Sequence, residues 1–439
     1  MQEPSATDPP AGDGPLSAAA ATVIPAIRAP SPRTTIVAII LSVFLMGAGM
    51  GLQGSAVSLR ASLEGFSDGL VGLIMSFNYV GLICGSLIAP AIIRNVGYVR
   101  AFAASASLGS ASAIAHLLWI DPFTWLIFRF VTGFSLSVMF VVAESWLNAS
   151  STSQNRGRLL SIYSITYIFS MGAGQPLMKF FPPAGFEIFA VTSILISFCL
   201  LPLTLMRVSG EPGTDHEPPR LLRTFRNSPL AGSGILVAGL IAGATWSLTP
   251  LYGQQISLDS GTIGVLMLVL SLGSMAFQWP LGWISDKKSR RHAILMAIGG
   301  AAFMGAFIVW YKPAEGLLFL FVFLFGGFSM PLYSLSVALA MDRAEPHQMV
   351  RVAGAIVIFY GAGNVLGPVL ASQFMHWMGP YGLFLSMTFV LGGFGLFVMV
   401  RKVLSPRLPG RKNRYRVYPR TTATAFQLAH RVRRRRGRR

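Results

Sequence analysis

Arg129 and Glu144 are the ionisable residues, other than histidines, that fall inside long apolar stretches of the 439-residue chain. A charge held in hydrocarbon is costly, so each calls for a role. A guanidinium there can hold an anionic or polar group of a bound solute; alternatively, carbonyls of neighbouring helices can cap it as a structural cation. A carboxyl there can carry a proton, or can serve as a strut against cationic loops near the end of its helix. The two residues are 15 positions apart, about 22 Å along a helix and about 60° apart in projection. They cannot pair with each other. No nucleophile network accompanies them, the six histidines are scattered away from Cys84 and Cys199, and no Gly-x-x-x-x-Gly-Lys loop occurs. The sequence therefore predicts no enzyme, no metal site, no cofactor and no ATP-driven step.

The second charged feature is a knot. Gly282-Trp-Ile-Ser-Asp286-Lys287-Lys288-Ser289-Arg290-Arg291 places four cations and one carboxylate within six residues, between two long apolar runs. A short cationic turn between two such runs marks membrane helices meeting at the cytoplasmic face. The pattern Gly-x-x-x-Asp-Lys-x-x-Arg-Arg resembles the loop signature of the major facilitator superfamily, found between the second and third helices of a six-helix half. The resemblance implies that Gly282, Asp286, Lys287, Arg290 and Arg291 latch a cytoplasmic gate. By the same resemblance, Glu144 would face Arg94 and Arg100 around Gly97 in the first half. Asp342 is the counterpart acid in the second half, either a strut for Lys287, Arg290 or Arg291 or an ordinary loop acid. Arg129-x-x-x-Gly133 resembles the superfamily's fourth-helix motif. Asn155-Arg156-Gly157-Arg158-Leu159-Leu160, with Glu144-Ser145 before it and Gly174-Gln175 after it, is similar to the YcaD-like branch. Gly172-Ala-Gly174-Gln175-Pro176 matches the Gly-rich signature of exporters only in part.

Twelve apolar segments must position these groups: 35–57, 69–93, 99–119, 123–148, 158–181, 187–206, 230–255, 261–284, 292–311, 316–341, 350–376 and 381–403. Each has about 20 residues or more, enough to cross a hydrocarbon core of about 30 Å. The composition agrees, with 53% hydrophobic and 12% charged residues against roughly 25% charged in soluble domains. The net charge of +19 is not a nucleic-acid footprint, because 15 of the 35 Lys and Arg residues follow Val400 and most others sit in short loops. With the N-terminus inside, the inner segments before that tail carry 16 Lys and Arg and the outer loops carry three, Arg60, Lys179 and Lys312. This asymmetry puts both termini in the cytoplasm.

The two halves repeat. Val71-Gly72-Leu73-Ile74-Met75 matches Ile263-Gly264-Val265-Leu266-Met267 at an offset of 192, which also pairs Gly51 with Gly243, Gly69 with Gly261, Gly81 with Gly273 and Pro176 with Pro368. The same shift brings the knot onto Pro90–Arg100, where Pro90 stands for the leading Gly and Arg94 for the Asp. The expected fold is all-α and polytopic, with 12 transmembrane helices in two pseudo-symmetric bundles. Its parts are a disordered arm (1–33), a first bundle (34–206), a cytoplasmic linker (207–229), a second bundle (230–403) and a basic tail (404–439).

The function expected from this architecture is a secondary transporter of a small polar or amphipathic organic solute in the cytoplasmic membrane. Uptake and proton-coupled drug or metabolite efflux both stand as directions, and a non-transporting sensor is the third reading. The expected partners are a small solute, the lipid bilayer and protons if transport is coupled. A single chain suffices, since it carries both halves. Candidate cavity residues are Arg129, Gln53, Asn78, Tyr163, Tyr167, Gln175, Trp246, Gln254, Gln278, Tyr333, Tyr360 and Asn364. Polar groups facing lipid would lack partners, so they should face the bundle interior.

Overall fold

A computed structural model describes residues 32–152, 155–204, 229–343 and 349–404. The expected arm, linker and tail therefore fall, but for their edges, outside the described residues. Numbered by span, the helices are α1 (Pro32–Leu63), α2 (Asp68–Val96), α3 (Tyr98–Leu118), α4 (Pro122–Ala149), α5 (Arg156–Ala173), α6 (Glu187–Thr204), α7 (Pro229–Gln255), α8 (Ser260–Lys287), α9 (Arg290–Tyr311), α10 (Glu315–Asp342), α11 (Met349–Met378) and α12 (Gly382–Leu404). Among the described residues there is no strand.

Eleven of these helices are long and apolar enough to cross a membrane. The exception is α5, expected as a plain span over 158–181. Its 18 residues rise about 27 Å, but Arg156, Arg158, two tyrosines and three serines dilute its apolarity. After Gly174 the backbone tightens into a 3-10 turn, Gln175–Lys179, which adds about 10 Å. Pro176 has no N–H to continue an α-ladder. Helix starts follow local chemistry. The Asp121 carboxylate accepts from the Thr124 N–H at 2.9 Å, and that of Asp259 accepts from Gly261 and Thr262. These donors hold both carboxyls below the usual carboxylate range.

Small residues set how closely the helices cross. A Cβ on Gly81 would strike the Phe130 carbonyl, and one on Gly273 the Phe323 carbonyl. Likewise Gly51 abuts the Met171 carbonyl and Gly243 the Asn364 carbonyl. So α2 meets α4 as α8 meets α10, and α1 meets α5 as α7 meets α11. In each pair a glycine lets the backbones touch.

Between halves, α2 packs on α11 and α5 on α8. The contacts run from one end to mid-depth. At that end the Gln255 amide donates to Asp68 at 2.8 Å, and the Ser260 hydroxyl donates to the Met178 carbonyl at 3.2 Å. Further in, a Cβ on Gly72 would lie 2.6 Å from that of Ser372, and one on Gly172 2.6 Å from that of Ser271. Gly361 against Ile83 is the deepest such contact on the α2–α11 seam. Beyond it Leu87 and Ile88 are exposed. The described contacts between the bundles therefore run from the Asp68/Gln255 end to mid-depth.

Gly72→Val should wedge α2 away from Ser372 and the Pro368 carbonyl. The expected result is a population open at the Asp68/Gln255 end. Thiol labelling of an engineered cysteine at Asn78 from that side would measure it, and unchanged labelling would refute the wedge.

Candidate functional site

A cavity of about 70 Å³ lies between the halves, lined among others by Asn78 and Tyr79 of α2, Arg129 and Thr132 of α4, Tyr167 of α5, Gln175, and Trp246 and Ser247 of α7. It adjoins a second space of about 80 Å³ that shares Tyr79, Tyr167 and Trp246 and adds Phe140, Val357, Tyr360 and Asn364. Both halves thus supply walls.

Arg129 is positioned by close packing. A Cβ on Gly133, one turn further along α4, would strike the Asn78 carbonyl, so α4 lies directly on α2 there. Arg129 is 4% exposed, and its Nε is buried without a hydrogen-bond partner. Among the described residues it makes no ion pair. The Tyr79 phenol lines the same cavity. That phenol lies 3.5 Å from the Ser247 hydroxyl, across the seam between halves. A buried guanidinium that lines a cavity and has no protein carboxylate beside it among the described residues favours an anion there.

Aromatic rings frame the opening. Tyr167 is held edge-on by Phe140 with centroids 4.8 Å apart, and Tyr360 packs on Tyr333 at 4.4 Å. Tyr167 comes from the first half and Tyr360 from the second. A flat group between them can bury both of its faces. The Gln175 amide nitrogen donates to the Gly51 carbonyl at 2.9 Å, leaving its buried Oε1 without a partner. The Asn364 amide donates to the Tyr360 carbonyl at 2.7 Å.

Of the twelve cavity candidates, Arg129, Asn78, Tyr167, Gln175, Trp246, Tyr360 and Asn364 line this space. Five do not. Gln53 is fully buried, with its Nε2 3.4 Å from the Thr132 hydroxyl. Tyr163 is buried against Glu144, Tyr333 backs Tyr360, Gln278 is buried in α8, and Gln254 sits near the Asp68/Gln255 end. Sequence reasoning missed Tyr79 and Ser247. Their signal was weak, since Tyr79 adjoins the chosen Asn78 and Ser247 the chosen Trp246.

The charged end of the bundle differs between halves. In the second half Arg290 is 6% exposed and forms the centre of a network. Its Nε donates to Asp342 at 2.9 Å, while one terminal nitrogen reaches Asp286 at 2.6 Å and the Ser285 hydroxyl at 2.9 Å. Of the three partners considered for Asp342, Arg290 is thus the one it pairs with. Lys287 lies over the Trp283 ring at 4.3 Å, on its own helix. Arg291 is half-buried, and Gly282 is buried at the start of the turn.

In the first half the expected pairing is corrected. Glu144 is fully buried and accepts from the Tyr163 hydroxyl at 3.2 Å, whereas Arg94 and Arg100 are exposed. The reason is depth. Glu144 lies among buried residues of α4, while both arginines flank the turn at Gly97. That turn has φ +82, which favours glycine.

A profile of the Major Facilitator Superfamily matches residues 39–368. The chain belongs to the Major Facilitator Superfamily. It is a multi-pass membrane protein of the YcaD-like group. It is 27% identical over 349 residues to the uncharacterized MFS-type transporter YcaD of Shigella flexneri, covering 79% of this chain and 90% of that protein. A second MFS-type transporter, from Enterobacter sp. (strain 638), is 25% identical over 345 residues, covering 77% and 88%. Among solved structures, the nucleoside transporter NupG superimposes with a TM-score of 0.67 at 12% identity, covering 85% of this chain and 99% of NupG. The human organic anion transporter MFSD10 gives 0.57 at 13%, covering 84% and 100%. These likenesses establish the fold.

Proposed function

We propose that this protein is a secondary carrier that takes up a small organic solute bearing a flat ring and an anionic or strongly polar group, by alternating access across the cytoplasmic membrane. The observation that carries the reading is Arg129, 4% exposed, beside a ring-lined cavity and without a counter-ion among the described residues. The solute's acidic group sits on the guanidinium and its ring between Tyr167 and Tyr360. Two like-built halves that both wall one cavity support alternating access. The sparse glycines at 172–176 favour uptake over export, and the cationic loops favour a cytoplasmic side for both termini.

The test is a thermal-shift screen of the purified protein against ring-bearing organic acids and neutral ring compounds. Flux in proteoliposomes, with and without a proton gradient, follows. The expected result is stabilisation by acids that is lost in Arg129→Gln. Stabilisation that persists in Arg129→Gln overturns the assignment of the cation site. Flux only outward along a proton gradient overturns uptake.

A further inference from the structure

Gln175 is the cavity residue whose side chain is only half used. It stands where α5 gives way to the 3-10 turn, one residue before Pro176, and is 1% exposed. Its Nε2 donates to the Gly51 carbonyl at 2.9 Å. A carbonyl can only accept, so this bond settles which way the amide faces, and Oε1 is the atom turned elsewhere. That oxygen is buried without a hydrogen-bond partner. Gly51 and Gln175 both line the cavity that Arg129 lines. The amide is therefore part of the cavity wall, and its oxygen is an acceptor that no donor among the described residues meets.

The position is held from three sides. A Cβ on Gly174 would strike the Ala48 carbonyl of α1, and one on Gly264 of α8 would strike the carbonyl of Gln175 itself. With the Gly51 bond, these contacts fix backbone and amide before a solute arrives, so little ordering remains at binding. Packing alone does not ask for an amide here. The 192-residue offset sets Gly367 opposite Gln175, and in the second half Gly367 meets the Leu240 carbonyl with no side chain at all. One half thus makes its crossing without a glutamine. The other buries a polar side chain with half its capacity unmet, which is unfavourable unless something supplies the missing hydrogen.

We propose that Gln175 is the specificity-determining acceptor of the cavity, and that the solute carries an N–H or O–H donor on its ring as well as the anionic group. This role rests on the anion-binding reading of Arg129 above and narrows its solute class. The guanidinium only donates, and the Gln175 Oε1 only accepts. The wall therefore reads opposite polarities at the two residues. A ring acid with a hydroxyl or amino substituent satisfies both, whereas the unsubstituted acid leaves Oε1 buried and unpaired. A methyl ether at the same ring position has no hydrogen to give and sets a second acceptor against Oε1.

The probes are meta- and para-hydroxybenzoate against the matching methoxybenzoates, with phenol against anisole as the neutral pair, titrated into the detergent-purified full chain. At least one hydroxybenzoate is expected to bind roughly three- to tenfold tighter than its methyl ether, the span of one neutral hydrogen bond. Gln175→Met, which has about the same length and no amide, should level that pair. A preference for the hydroxyl that survives in Gln175→Met overturns the proposal. So does its absence in the wild type, a measurement that needs no variant to fold. If the acids then still bind and lose affinity in Arg129→Gln, the cation site stands without Gln175. If phenol outbinds anisole in the wild type and not in Gln175→Met, while no acid binds, the acceptor stands and the anionic reading falls. No binding by any of these compounds overturns both.

Discussion

Arg129→Met is expected to lower solute transport by about a hundredfold or more while leaving the empty protein as stable as the wild type, or more so. The two signs follow from one observation. A charge-assisted hydrogen bond contributes about 1.5–3 kcal/mol, and truncating one partner of a buried charge pair costs about 2–5 kcal/mol. At about 1.4 kcal/mol per factor of ten, the loss of affinity spans roughly thirty- to several-thousandfold. In the empty protein the sign reverses. Arg129 is 4% exposed, its Nε lacks a partner, and no carboxylate pairs with it among the described residues. Removing an uncompensated buried charge relieves desolvation. A structural guanidinium capped by carbonyls would behave oppositely, because its loss would strand acceptors and lower the melting temperature. Arg129→Lys should fall between, since it keeps the charge but loses the planar fork. Melting temperature and proteoliposome flux of the three proteins decide the matter. A destabilised Arg129→Met with normal flux would exclude the anion site.

The membrane architecture was legible because it depends on composition over long windows. Segments such as 69–93 and 261–284 lie within α2 and α8, and the 192-residue offset recurs as matched glycine crossings at Gly81 and Gly273. The azimuth of each helix was not legible. In these helices the faces toward lipid and toward protein are both apolar, so periodicity cannot say which side of α2 meets the cavity. Polarity was the substitute cue. It selected Asn78 and Gln175, which line the cavity, and also Gln53 and Gln278, which do not. Contacts between halves were equally hidden. Asp68 and Gln255 are 187 residues apart in sequence, and neither lies in a motif. The Glu144 partner was misjudged because charge was weighed without depth. A buried carboxyl met the nearest buried hydroxyl, on Tyr163, while the arginines stayed in the exposed turn.

The second large effect is expected at Asp342. Arg290 and Asp342 are 6% and 8% exposed, and they meet at 2.9 Å. Asp342→Ala leaves the guanidinium buried with half of its anionic neighbourhood, and breaking such a pair costs about 3–5 kcal/mol. Asp286 also holds Arg290, at 2.6 Å, which places the expected loss near the lower figure. Asp286 is 34% exposed, so Asp286→Asn acts on a pair that water already screens. Its stability change should stay within about 1 kcal/mol. Its expected consequence is kinetic. In the structure the network ties α8, α9 and α10 within one half. The carrier must also close at this end, and there the part-exposed Asp286 carboxylate is more accessible to the opposite half than the buried Asp342. Asp286→Asn should therefore slow flux severalfold in protein that inserts and melts normally. Asp342→Ala should lower the melting point and the yield before flux is measured. The double variant separates the two roles. If both residues only stabilise the half, each single substitution will lower stability and flux in proportion. If Asp286 serves closure, its flux defect will persist at a temperature where its folded fraction equals that of the wild type. Equal flux at equal folded fraction would remove Asp286 from the gate.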